Sequence, residues 1–278
     1  MSTVIGIDLG ISSTKIVGIE NGKRIKSPMV IKGSDSVSSM YGAFGKYVHD
    51  NDIALDEIEH ITITGVGAQE SRMSLYDIPT SCVDEFKANG LGARFDSGLD
   101  NIVVVSMGSG TSLVRVEGDD IKHIGGIGMG GGTLQGLSHL LLNTSDITRV
   151  AQWADEGLTS HINLTIGEVC REKIDGLTDF ATASLFAKAS HSDVTRNDIA
   201  AGLIHMVLET IGSCAVLSQL ESSIKDFVLI GNLTRLAACK QVFPMLEKLY
   251  DVRFHIPKFA FYCTALGAAL SCGVPEIE

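Results

Sequence analysis

The sequence predicts an α/β protein of two related lobes, on three observations. A unit of strand, small-residue loop, strand, tight turn and strand occurs twice; a helix follows each copy; and the remainder of the second half is mostly helical. A period this long is too large for a solenoid and reads as an internal duplication at domain scale. The 278 residues, at roughly 100–200 residues per domain, leave room for two such units. We divide them as residues 1–98 and 99–278, with the last helix a candidate to pack back on the first lobe.

The elements follow in order. Val4-Ile5-Gly6-Ile7-Asp8 is a short apolar strand running into the loop Leu9-Gly10-Ile11-Ser12-Ser13, and Thr14 to Glu20 returns as a second strand. Asn21-Gly22 is a strong hairpin signal because both residue types accept positive φ. Lys23 to Val30 is then expected as one third strand. Residues Asp35 to His49 place Met40, Tyr41, Phe44, Tyr47 and Val48 at helical spacing, and Ile58 to Thr64 reads as a buried strand before the loop Thr64-Gly65-Val66-Gly67-Ala68.

The plan restarts near Leu99. Asn101 to Val105 is a buried strand ending in Ser106-Met107-Gly108-Ser109-Gly110-Thr111-Ser112; Leu113 to Glu117 returns, Gly118-Asp119-Asp120 turns, and Ile121 to Ile124 is the third strand. Between Thr195 and about Ser223, Ile199, Leu203, Met206, Val207 and Ile211 share an apolar face, with Thr195 or Asn197 as the cap. Asp226 to Ile230 is another strand, and Thr264 to Leu270 is a helix of small residues that must pack closely on a neighbour.

Composition narrows the function. Hydrophobic residues are 45% and charged residues 20%, a folded composition. The 33 acidic against 22 basic residues give a net charge of −11, a field that repels nucleic-acid backbones. No uninterrupted apolar run reaches the roughly 18 residues that cross a bilayer, and the N-terminus lacks a signal-peptide layout, so a cytoplasmic protein without nucleic-acid or membrane partners is expected. The six cysteines form no C-x-x-C pair and the eight histidines no H-E-x-x-H, which argues against a transition-metal site built from local ligand pairs.

A strand ending in a Gly/Ser/Thr loop leaves backbone N–H groups pointing outward, and such a nest binds anions, phosphate above all. Either loop alone reads as an ordinary turn; two at the same place in a duplicated unit would grip a polyphosphate from both sides. The third glycine-rich stretch, Gly125 to Thr133, holds six glycines in eight residues and opens into a helix expected near Leu134. It is expected to form another anion cradle or a close backbone contact with a ligand. Neither it nor the first loop is a P-loop or Rossmann turn. Asp8, beside the first loop, is placed to hold Mg²⁺ through water against bound phosphates. Phosphoryl transfer also needs a base, and spacing leaves Glu70, Asp84 and Glu85 open.

These residues together resemble the actin, hexokinase and heat-shock ATPase superfamily and, within it, the type II pantothenate kinases. The specific part is Ser106-Met107-Gly108-Ser109-Gly110-Thr111-Ser112 followed after a hairpin by Gly125-Gly126-Ile127-Gly128-Met129-Gly130-Gly131-Gly132-Thr133-Leu134-Gln135-Gly136-Leu137. Gly6-Ile7-Asp8-Leu9-Gly10 with Lys15, and Thr64 to Ala68, agree as well. The resemblance implies duplicated ribonuclease H-like (actin-like ATPase) domains with a nucleotide cleft between them, ATP and Mg²⁺ as cofactors, a dimer, and the phosphorylation of pantothenate in the first step of coenzyme A biosynthesis. It implies ATP contacts from Asp8, Leu9, Gly10, Ile11, Ser12, Ser13, Thr14 and Lys15, from Ser109, and from Gly131, Gly132, Thr133, Leu134 and Gln135, with Asn232 near the nucleotide. Within Val83-Asp84-Glu85-Phe86 the general base looks like Glu85, and Ser112 would lie near the acceptor.

Two departures stand out. Where the family has an arginine that touches substrate and transferred phosphate, this chain has His123, with Lys122 beside it. Imidazole has a shorter reach than guanidinium and is not permanently charged. Near the C-terminus, Phe261-Tyr262-Cys263-Thr264-Ala265 puts bulk where the family segment is richer in glycine. His123 motivates the rival readings: a nucleotide or acyl-CoA sensor with a reduced reaction, or a kinase for another small hydroxy acid. A third reading, the ATPase that activates 2-hydroxyacyl-CoA dehydratases, shares the first loop, but those proteins bridge an iron–sulfur cluster through cysteines in a loop where this chain has glycine.

Overall fold

A computed structural model describes residues 2–272 except 12, 23, 33–35, 71–74, 171, 173–177, 191–192 and 221. The first sheet is built from β1 (Thr3–Leu9), β2 (Thr14–Glu20), β3 (Arg24–Ile25), β4 (Met29–Ile31), β5 (Ile58–Thr64) and β6 (Thr80–Cys82), with α1 (Ser36–Asp50) between β4 and β5. α2 (Glu85–Ser97) leads to the second sheet: β7 (Asn101–Met107), β8 (Thr111–Glu117) and β9 (Asp120–Ile127). Then come α3 (Gly131–Leu142), α4 (Ile147–Glu156), β10 (Leu164–Thr165), α5 (Ile166–Val169), β11 (Thr182–Ser184), α6 (Arg196–Leu217), β12 (Asp226–Ile230), α7 (Cys239–Tyr250), β13 (Arg253–His255) and α8 (Cys263–Leu270).

The duplication extends beyond the hairpins. The first sheet runs β3-β2-β1-β5-β6, with β4 also on β2, and the second runs β9-β8-β7-β12-β13. In each the first hairpin is antiparallel and the two later strands join the opposite edge in parallel. The central strands read as continuous apolar runs because both faces are covered. Ile5, Ile7 and Ile16 pack with Met40, Phe44 and Tyr47 of α1, whereas Val17 and Ile19 face Ala265, Leu266 and Ala269 of α8. In the second sheet Val103, Val105 and Leu229 meet Leu203, Val207 and Ile211 of α6, while Ile102, Val104 and Val228 face Ala93 of α2.

The covering helices are exchanged. α2 follows the first sheet in sequence yet packs on the second, and α8 follows the second yet packs on the first. They meet between the sheets along a seam of small residues. A methyl group on Gly267 would stand 1.7 Å from the Ala88 carbonyl oxygen, and one on Gly6 would stand 2.0 Å from that of Ala265. Larger side chains would push the sheets apart. The long apolar α6 has the length and hydropathy of a membrane span, but its residues Leu203, Val207, Leu208 and Ile211 are core.

Three expectations are corrected. The third strand of the first sheet is two short strands: β3 and β4 pair with β2 in registers one residue apart, and Pro28, which has no N–H to give, lies in the gap. The glycine-rich stretch does open into a helix, but α3 starts at Gly131, about one turn before Leu134, while Gly125 and Gly126 still belong to β9. The α6 cap is Thr195, in a reciprocal box with Asp198, and not Asn197. The Asn21-Gly22 turn is as expected, with φ of 51° and 69°.

Candidate active site

The two duplicated loops open into one cavity of about 420 Å³ between the sheets. Asp8, Gly10, Ile11, Ser13 and Lys15 line it from the first sheet and Ser106, Gly108, Ser109, Gly110, Thr111 and Ser112 from the second. Glu85 and Phe86 from the start of α2, Gly231 and Asn232 after β12, and Thr264 of α8 complete much of the wall.

Hairpin register explains the loop chemistry. Asp8 is paired directly with Lys15 across β1 and β2, so the two side chains share a face. Lys15 Nζ lies 3.5 Å from Asp8 Oδ2, with the residues 7% and 6% exposed. Burial raises the Asp8 pKa above its ordinary value and the Lys15 charge lowers it, burial being the larger influence. At the corresponding place in the second hairpin, Ser106 is paired with Ser112. One copy of the unit therefore brings an ion pair to the cavity and the other a pair of hydroxyls.

Glu85 is the first residue of α2. Its neighbour Asp84 caps the helix, accepting hydrogen bonds from the Phe86 and Lys87 N–H groups at 2.9 and 3.0 Å. That cap fixes the direction in which the half-buried Glu85 leaves the helix. Burial raises the Glu85 pKa most; Asp8 and then Asp84 raise it further, and Lys15 opposes them. The result is a carboxylate more basic than usual beside a lysine and two hydroxyl-bearing strands, suited to accept a proton. Across α2 and α8, Thr264 donates to Asn89 at 2.7 Å. The Asn232 Oδ1 is buried and finds no hydrogen-bond partner among the described residues, so an acceptor is left at the cavity edge.

Other expected site residues stand elsewhere. Leu9 and Thr14 are buried at the hairpin ends behind the loop. Gly131 and Gly132 donate their N–H groups to the Gly108 and Ser109 carbonyls at 2.8 and 2.9 Å. A methyl on Gly130 would come within 2.5 Å of the Ser109 carbonyl oxygen, so the glycine density serves a close backbone approach to the Ser109 loop. Thr133 bonds the Gly128 carbonyl, Leu134 is core, and Gln135 reaches Ser145. His123 is exposed and stacked on Phe86, ring centroids 3.9 Å apart; Phe86 lines the cavity and His123 is not among its lining residues. A bulge in the β8–β9 pairing at Leu113/Val114 sets His123 opposite Val114, on the α2 face. Ser12 lies outside the described residues.

Sequence reasoning did not single out Phe86, Val66 or Thr264 as wall residues. Phe86 adjoins Glu85 and was within reach of a motif reading. Thr264 was not, because its role depends on a partner 175 positions away.

The comparisons agree with this architecture. The sequence profile of the Fumble family matches residues 97–249. A type II pantothenate kinase of Bacillus thuringiensis subsp. konkukian is 27% identical over 247 residues, 84% of this chain and 83% of that protein. One of Staphylococcus aureus is 27% identical over 236 residues, 82% and 84% of the two chains. Among solved structures, component A of the (R)-2-hydroxyglutaryl-CoA dehydratase of Acidaminococcus fermentans superposes with a TM-score of 0.70 at 18% identity, over 97% of both chains. The activator of 2-hydroxyisocaproyl-CoA dehydratase from Clostridium difficile, with bound ADPNP, gives 0.68 at 16% identity over 99% of both. The fold is that of the actin-like ATPases. Among the described residues no cluster of three or more His, Cys, Asp or Glu is arranged to hold a metal.

Proposed function

This chain belongs to the Fumble family, and from that premise we propose that it is an ATP-dependent kinase that phosphorylates the primary hydroxyl of pantothenate, in the first step of coenzyme A biosynthesis. The observation that carries this reading is Glu85, held basic by burial in the same cavity as the Asp8–Lys15 pair and both duplicated loops. Glu85 takes the proton of the acceptor hydroxyl as its oxygen bonds to the γ-phosphorus. The bond from that phosphorus to the β–γ bridging oxygen breaks, and ADP leaves. Lys15 and the Gly10 and Gly108 loops offset the charge of the phosphates, and Ser106 and Ser112 offer hydroxyls to the acceptor.

The donor set fits Mg²⁺. Asp8 supplies a hard carboxylate oxygen whose burial is only partly compensated by Lys15, and Mg²⁺ usually takes one or two carboxylates and completes its shell with water and phosphate oxygen. Bound there, it would neutralise phosphate charge. The same reading makes the protein a cytoplasmic homodimer acting on small molecules.

The His123–Phe86 stack favours a second reading, a kinase for a different small hydroxy acid, because no guanidinium stands at that position. A coupled ATPase assay over pantothenate, pantetheine and other hydroxy acids tests both. Glu85→Gln is expected to lower acceptor-stimulated turnover by roughly 10²–10⁴ while nucleotide binding persists. Tight nucleotide binding with no acceptor-stimulated turnover, and no effect of Glu85→Gln, would leave a sensor. A gain in pantothenate turnover by His123→Arg marks a weakened inherited reaction; activity on another acceptor without that gain marks altered specificity.

A further inference from the structure

Phe261 sits in the turn before α8, and its ring carries two cations. Lys15 Nζ lies 4.9 Å from the ring centroid and the Arg235 guanidinium carbon 4.8 Å from it. The cations come from different sheets: Lys15 from β2, and Arg235 from the 3-10 turn Asn232–Arg235 after β12. The ring itself is well anchored. The Gly231 N–H donates to Ala260 at 2.9 Å, the Tyr262 N–H to Phe259 at 2.7 Å, and Tyr262 packs edge-on against Phe261 with centroids 4.8 Å apart.

Ammonium and guanidinium repel each other, and the negative face of the π-system is what lets one ring hold both. Only Lys15 also has a carboxylate, that of Asp8; among the described residues Arg235 is in no ion pair. Lys15 lines the cavity with Asp8, Glu85, Gly231 and Asn232, and Arg235, three residues after Asn232, is tied to Lys15 through the shared ring. We propose that Phe261 is a positioning residue, holding Lys15 and Arg235 as a two-cation clamp that joins the sheets around the phosphates of the bound nucleotide. This deepens the functional reading and rests on it. Phe261 does no chemistry; it fixes where the charges stand, so its loss weakens nucleotide binding more than the chemical step.

The test uses the full chain and a nonhydrolysable ATP analogue in titration calorimetry, beside steady-state kinetics. Phe261→Leu, of similar bulk without a π-face, is expected to raise the analogue Kd and the KM for ATP about five- to tenfold, with kcat within about twofold. Phe261→Tyr, which keeps the ring, is expected to match the wild type. Arg235→Gln is expected to weaken binding alone and to add little on the Phe261→Leu background. Equal binding by all variants, a fall in kcat at unchanged KM, or fully additive losses overturn the clamp. Should Phe261→Leu fail to fold, exposed Arg235 decides: an unchanged Kd in Arg235→Gln overturns it. A wild-type chain that binds no nucleotide sinks the functional reading and the clamp together, whereas binding that no variant alters sinks the clamp alone.

Discussion

The two sheets have the same strand order and the same hairpin register, yet they bring opposite chemistry to one cavity. Where the first sheet has Asp8 opposite Lys15, the second has Ser106 opposite Ser112. Burying charge is costly even when paired, because desolvation competes with attraction, and only one copy bears that cost. The duplicated backbone supplies two cavity-lining loops; divergence at a single cross-strand pair makes one side a charged wall and the other a hydroxyl-bearing wall. Symmetry belongs to the fold, and the division of labour belongs to a few side chains.

The helices that cover the sheets differ in the same way. The α2–α8 seam between the sheets is backbone against backbone, whereas α6 on the outer face of the second sheet meets flexible side chains. Gly267→Ala and Gly212→Ala separate the two. A methyl at Gly267 would lie 1.7 Å from the Ala88 carbonyl oxygen, and one at Gly212 would lie 2.3 Å from a terminal methyl of Leu246. The first cannot be relieved without moving α2 and Glu85. Gly267→Ala is expected to cost about 3 kcal/mol or more, seen as a drop of several degrees in Tm together with lost turnover. Gly212→Ala is expected to cost about 1 kcal/mol or less, since Leu246 can rotate and alanine favours the helix. Equal losses would mean that the seam is no tighter than the outer packing.

Much of the first half of this comparison was legible in the sequence. β2, β5 and β12 were read at the residues where they occur, because each is a short apolar or alternating run closed by turn chemistry, and the two hairpins revealed the duplication. What spacing could not supply was the choice of the proposed base: Glu85 follows only from family resemblance, since its raised pKa comes from burial and from Asp8, which local sequence does not encode. The glycine stretch misled for a related reason. Its density signals a close backbone approach, but the sequence does not say to what, and the neighbour is the Ser109 loop. α7 escaped because Pro244 lies inside it and reads as a helix breaker. The Asn89–Thr264 and Lys15–Phe261 contacts join residues far apart in the chain, where no local signal exists.

The helix that covers the second sheet, α6, also carries a buried carboxylate, of a structural kind. Asp198 is 3% exposed. Burial pushes its pKa up, but hydrogen bonds from the Leu158 N–H, the Thr195 N–H and hydroxyl, and His161 outweigh this and bring it down to about 2. A depressed carboxylate contributes stability that is present above its ordinary pKa of 3.8 and is lost as pH falls towards the folded value. Thermal denaturation of Asp198→Asn and wild type is therefore expected to show a Tm gap that is constant above pH 5 and narrows between pH 4 and pH 2. A gap independent of pH would assign the role to the hydrogen bonds alone. The Asp8–Glu85 side is expected to behave in the opposite sense, because there burial wins and the carboxylates are held above their ordinary values.

That opposite sense has its own, smaller signature in catalysis. Glu85 accepts a proton only when ionised, so kcat/KM is expected to fall as pH drops through a pKa above the ordinary carboxylate value of 4.5. Of the influences that raise it, the Asp84 charge is the least, after burial and Asp8. Asp84→Asn removes that charge and leaves the helix start intact, because asparagine caps about as well as aspartate. The acid limb of the profile is expected to move slightly towards lower pH, with Tm nearly unchanged. An unmoved limb with intact folding would mean that the limb belongs to some other group, and the basic carboxylate would lose its place in the reaction even if the cavity kept its nucleotide.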